Sequence, residues 1–206
     1  MNKKQVFIFG AGGHGKVMLD ILLEAGVKVA GFLDDDKAKI GNSVCGYEIL
    51  GGMEYLTAKK SVAVALGIGN NKIREKVFHA ARAARVELVS AVHPRAVISR
   101  YAAIGGGVAI MAGAVINAGS TLEDGVVVNT AASVDHDCRL GKFCQIWPGA
   151  HLAGNISIGE FSYVGTGASV IQNIKIGKNT TIGAGAAVIS DIPDNVTAAG
   201  VPARVL

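Results

Sequence analysis

Residues 110–146 read IMAGAV-INAGST-LEDGVV-VNTAAS-VDHDCR-LGKFCQ-I, and every hexad opens on Ile, Leu or Val. The same phase runs without a miss from Val92 to Val188, seventeen aliphatic positions in all. Four residues further on in each hexad, from Ala96 to Ile192, the residue is small or β-branched and uncharged, as at Ala114, Ser120, Cys138 and Cys144. A period of six belongs to neither a helix nor an ordinary strand. It fits a strand-and-turn unit wound around a triangular prism, three hexads to a coil, with the aliphatic residue turned to the axis and Gly or Asn easing the turn. Seventeen hexads make between five and six coils, with no phase break between residues 92 and 192 to admit a long inserted loop.

Composition agrees. The chain has 206 residues, and its 28 glycines are about 14% of it, against a usual ~7%. Half the residues are apolar and 17% are charged, which excludes a disordered chain. Three cysteines give no disulfide framework, and no apolar run is long enough to span a membrane. The start, MNKKQVFIFGAGGHG, has no signal-peptide pattern, so a soluble cytoplasmic protein is expected. A net charge of +4, with no basic cluster interleaved by aromatics, suits acidic small molecules and argues against a nucleic-acid partner.

The first ninety residues differ in kind. Gln5–Phe9 reads as a buried strand, Lys16–Ala25 as a helix, Val62–Leu66 as a strand, Lys72–Arg85 as a helix and Glu87–Val92 as a last strand. Alternation of this kind predicts a small parallel α/β sheet over residues 1–90, with the prism over 91–206. Gly10, Gly12 and Gly15 satisfy G-x-G-x-x-G, and Asp34 follows about twenty residues after the last glycine. Backbone N–H groups at such a helix start can hold a diphosphate, and the acidic residue can accept bonds from a nucleoside. Ninety residues make only half of a two-lobed dinucleotide fold, which favours a nucleoside diphosphate over NAD.

The hexads resemble the left-handed parallel β-helix of hexapeptide-repeat acyltransferases. Together with Gly10-Ala-Gly-Gly-His-Gly-Lys16, Phe32-Leu-Asp-Asp-Asp36 and Gly67-Ile-Gly-Asn-Asn71, they are similar to bacterial acetyltransferases of UDP- or dTDP-linked 4-amino-4,6-dideoxyhexoses, with sialic acid O-acetyltransferases as relatives. The resemblance implies a homotrimer that binds acetyl-CoA between neighbouring prisms. It places Gly12, Gly13 and His14 at the diphosphate or sugar, Asp34 and Asp35 at the nucleoside, and Gly69 close to the nucleotide. Gln145, Thr166 and Ala184 would line the acetyl-CoA groove. Arg204, in the exit segment Ala199-Gly-Val-Pro-Ala-Arg204, would meet a CoA phosphate.

Acetyl transfer to an amine needs a base and a donor for the oxyanion. His136 stands two residues after inward Val134, at an exposed corner between Asp135 and Asp137. It matches the family's catalytic His followed by an acid, with Asp137 where Glu is common. Gly154 is eighteen residues later, so it stacks one coil above His136, roughly 4.8 Å away. It would offer its N–H to the thioester oxygen. His93 reads as structural, and Trp147 replaces a small residue. The zinc enzymes of this fold need three histidines, whereas here His136 and His151 lie fifteen apart, so no metal is expected. Cys138 and Cys144 fall at inward positions, which favours direct transfer over an acyl-enzyme. A sugar O-acetyltransferase, a silent nucleotide-sugar binder and an NAD-dependent oxidoreductase are the rivals.

Overall fold

The computed structural model describes residues 4–59 and 61–206, which fall into two compact units meeting in sequence at Pro94 and Arg95. In the first, β1 (Gln5–Phe9), α1 (Gly13–Glu24), β2 (Val29–Leu33), a small hairpin β3 (Ser43–Val44) and β4 (Tyr47–Glu48), α2 (Met53–Ala58), β5 (Val62–Leu66), α3 (Asn71–Ala83) and β6 (Glu87–Leu88) follow one another. The sheet order is β2-β1-β5-β6, with all pairs parallel. β5 is buried along its whole length because its five residues, VAVAL, are all apolar. α1 turns Met18, Leu19, Ile21 and Leu22 into the core, and α3 turns Val77, Phe78 and Ala81 inward.

Two boundaries differ from the sequence expectation. α1 begins at Gly13, three residues early, because Gly15 must already lie in the helix, packed against Gly10. A Cβ at Gly15 would overlap the Gly10 carbonyl oxygen. The last strand is split into Glu87–Leu88 and Ala91–Val92. In this order the chain leaves β1 towards β2 on one side and returns through β5 on the other. The loops after β1, β2 and β5 therefore gather at one sheet edge, at a topological switch point.

The second unit is a parallel β-solenoid of two-residue strands on three faces. Val128 pairs with Ile146, Val134 with Leu152 and Leu140 with Ile158, each eighteen residues on. The second residue of each strand points to the axis and is buried from Ile110 to Val188, while Ile98 and Ile104 in the first coil are half-buried. From Gly107 to Gly185 each turn has one residue at positive φ, such as Gly113 (71°), Gly119 (75°), Asn155 (57°) and Asn173 (65°). That demand accounts for part of the glycine content, since Gly and Asn enter this region at least cost, and the close approach of the next coil to glycines such as Gly159 and Gly165 accounts for more.

The regular phase ends earlier than the sequence suggests. Ile176 pairs with Ile192 and Thr181 with Thr197, so the last coil has sixteen residues. Ile192, expected in the small-residue column, takes the strand position instead. Two aspartates bridge the shortfall: Asp191 Oδ1 accepts from Lys175 N at 2.8 Å and Asp194 Oδ1 from Lys178 N at 2.9 Å. The chain closes on an antiparallel pair, Thr197–Ala199 against Arg204–Val205.

Leu140, fully buried, should cost about 2–5 kcal/mol when cut to Ala, whereas its exposed strand neighbour Arg139→Ala should stay within about 0.5 kcal/mol. Denaturant unfolding of the two variants checks the inward-outward alternation.

Candidate active site

At the sheet edge of the first unit, Gly12 and Gly13 are exposed, and a Cβ built on either would meet nothing within 4 Å. The same is true of Gly69. These are open backbone surfaces of the sort a phosphate or sugar can approach. Gly10 serves differently: at φ 107° its Cβ would come within 2.5 Å of the Gly67 carbonyl oxygen, so it packs the two loops together. His14 is half-buried, and its Nε2 is enclosed without a hydrogen-bond partner. Burial, aided by the Arg74 charge, lowers its pKa to about 4, so the ring is neutral near pH 7.

Asp34 and Asp35 are engaged by their own lobe. Asp34 Oδ2 accepts from Ala11 N at 3.0 Å and Lys39 Nζ at 2.9 Å, while Oδ1 accepts from Asp36 N at 3.0 Å. Burial would raise its pKa, but these donors together hold it below the usual carboxylate range. Asp35 is exposed, and its Oδ1 accepts from Met53 N at 3.0 Å, tethering the start of α2. Asp34 thus shapes the rim of the glycine loop, and Asp35 the start of α2. Sequence reasoning missed Arg74. It is fully buried in α3 and donates from Nη1 to the Ile68 and Gly69 carbonyls and from Nη2 to Asn71 Oδ1 at 2.7 Å. Its only mark in the sequence is its place one helical turn after Gly67-Ile-Gly-Asn-Asn71.

In the solenoid, His136 occupies the turn after strand Ser133–Val134, with most of its side chain exposed. Its Nδ1 lies 2.9 Å from Asp137 Oδ2. Hydrogen bonding to Asp137 is the main reason its pKa is raised; slight desolvation opposes this, and the charges of Asp135 and Asp137 add to it. With Nδ1 donating to the carboxylate, Nε2 carries the lone pair and can take a proton. Gly154 lies against the ring: a Cβ there would come 2.5 Å from His136 Cε1 and Nε2. The coils are also joined by Asn155 N donating to the His136 carbonyl at 2.8 Å. The Gly154 N–H makes no hydrogen bond among the described residues.

The remaining expected residues lie elsewhere on the prism. Thr166 and Ala184 are exposed on another corner, after Tyr163–Val164 and Thr181–Ile182, where Gly185 N donates to the Thr166 carbonyl. Gln145 is buried on the face between Val127 and Tyr163. Arg204 is exposed in the terminal pair, its Nη1 on the Ala203 carbonyl. One chain therefore joins His136, Asp137 and Gly154, and keeps Gln145, Thr166, Ala184 and Arg204 apart from them. Trp147 is 40% exposed and meets Tyr163 edge-on. His151 bonds Ser133 Oγ through Nδ1, and no cluster that could hold a metal occurs among the described residues. Cys138 and Cys144 are buried.

The family model described as the PglD N-terminal domain matches residues 5–81. The chain is 33% identical over 158 residues to GDP-perosamine N-acetyltransferase of Escherichia coli O157:H7, covering 72% of this chain and 70% of that one. It is 37% identical over 121 residues to UDP-N-acetylbacillosamine N-acetyltransferase of Bacillus subtilis (strain 168), covering 53% and 52%. Among solved structures, PerB of Caulobacter crescentus in complex with CoA and GDP-perosamine superimposes with a TM-score of 0.93 at 42% identity, over 98% of this chain and 97% of that one. An α/β lobe with an open glycine loop, a solenoid carrying a His–Asp pair, and likeness over nearly the whole length place the chain in the family of hexapeptide-repeat nucleotide-sugar N-acetyltransferases.

Proposed function

We propose that this protein transfers the acetyl group of acetyl-CoA to the 4-amino group of a nucleotide-linked 4-amino-4,6-dideoxyhexose. The observation that carries the reading is the His136–Asp137 pair, with a free Nε2 edge and the Gly154 backbone against the ring. His136 Nε2 accepts the amine proton as nitrogen attacks the thioester carbon. The tetrahedral oxygen takes its hydrogen bond from the Gly154 N–H, the C–S bond breaks, and the imidazolium returns a proton to the CoA thiolate. Asp137 holds the ring and stabilises the imidazolium.

Transfer is direct. Cys138 and Cys144 are enclosed, and burial pushes the Cys138 thiol above its ordinary pKa, so neither supplies a thiolate nucleophile. Gly12, Gly13, His14 and Gly69 form the diphosphate cradle, with Asp34 and Asp35 at its nucleoside side. Because Thr166 and Ala184 sit on a different corner from His136, a groove shared by two copies is what brings the acetyl-CoA residues to the base, and this supports a homotrimer. The named relatives act on GDP- and UDP-linked sugars, so guanine joins uracil and thymine as a candidate base.

His136→Ala should fold normally and lower turnover by about 10²–10⁴, read as thiol release dependent on the amino sugar; near-normal turnover would overturn the assignment. The base must be neutral to act, so the rate should climb with pH through a midpoint above the ordinary histidine value. Asp137→Asn, which removes the main cause of the rise, should move that acid limb to lower pH. Assay with GDP-, UDP- and dTDP-linked 4-amino sugars should give at least a tenfold preference in kcat/KM for one base.

A further inference from the structure

Asp135 Oδ1 accepts two hydrogen bonds, from the His136 peptide N–H at 2.8 Å and from Asn117 Nδ2 at 2.8 Å. Asn117 is eighteen residues upstream and stands at the same corner one coil below, where Ile116 pairs with Val134. Its own N–H donates to the Val134 carbonyl at 2.9 Å, so the anchor is itself held in the ladder. The turn that presents His136 is thus gripped at two levels. Asp137 meets the ring, whereas Asp135 meets the peptide and ties it to a neighbouring coil.

We propose that Asp135, braced by Asn117, is a positioning residue for acetyl transfer, fixing the His136 backbone so that the imidazole stays between Asp137 and Gly154. This rests on His136 being the general base. Asp135 is kept ionised chiefly by the Asn117 amide and next by the His136 N–H. The charged groups acting on the imidazole are Asp135 and Asp137. The adjoining coils bring Asn117, Ala118 and Gly119 from below and Ala153, Gly154 and Asn155 from above, none of them titratable. Asp135 therefore combines two effects that substitutions can separate: a mechanical hold on the peptide and a second negative charge beside the ring.

The test compares kcat, KM and the pH profile of Asn117→Ala, Asp135→Ala, Asp135→Asn and His136→Ala in the full-length protein with acetyl-CoA and the preferred amino sugar. Asn117→Ala and Asp135→Ala should lower kcat by about 10- to 100-fold, the cost of a misplaced catalytic group, at unchanged KM for both substrates. Asp135→Asn retains an oxygen for both donors but loses the charge, so kcat above the acid limb should survive while that limb moves to lower pH. A purely structural role would lower the melting temperature and leave the limb in place. Normal kcat in Asn117→Ala and Asp135→Ala, with His136→Ala inactive, would overturn the positioning role alone. An active His136→Ala would overturn the reading of the base itself.

Discussion

Parallel pairing at a spacing of eighteen residues converts distance along the chain into adjacency in space. Aliphatic side chains on the axis hold the register, because sliding one coil by a single residue would carry every inward side chain to the surface. Asn117, His136 and Gly154 are neighbours only because of that register. The hydrophobic core thus specifies the geometry of a polar corner to which it contributes no side-chain charge.

The corner also shows how a solenoid manages charge. His136 and Asp137 lie largely in solvent, where a single pair is worth little, and Asp135 is half-buried beside them. Fixed geometry compensates: Asp135 is bound to a backbone and to an amide, and Asp137 to a ring nitrogen. The first unit takes the opposite course. Arg74 is completely enclosed, a placement that costs several kcal/mol of lost hydration. Its guanidinium is spread over carbonyl and amide oxygens that shape the loop around Gly69. The neutral state of His14 follows, since burial and a nearby cation both oppose a second charge.

Much of this was legible in the residues alone. The sixfold beat gave the solenoid, and eighteen-residue arithmetic put Gly154 against His136. Alternating apolar segments gave the parallel sheet, because VAVAL at Val62–Leu66 admits no other buried reading. What escaped was set by tertiary contact. The helix start at Gly13 depends on the Gly10 carbonyl, a packing constraint that local propensity does not carry. The bonds that Asp34 and Asp35 make to Ala11, Lys39 and Met53 were likewise beyond a local reading. Arg74 carries no local mark of burial, because the carbonyls it meets are brought to it by the fold. The shortened coil escaped because Ile192 is equally at home in two columns of the hexad.

That shortened coil bears on how the repeat stops. An open end of a parallel solenoid is a sheet edge, a template on which further copies could stack into fibres. Here the rhythm is broken in the last coil, and Asp191 occupies the Lys175 amide that an in-phase rung would otherwise satisfy with its own carbonyl. The antiparallel strand Arg204–Val205 then covers one face in the wrong direction for another coil to continue. Polymerisation along the axis is discouraged at this end by syntax as much as by charge.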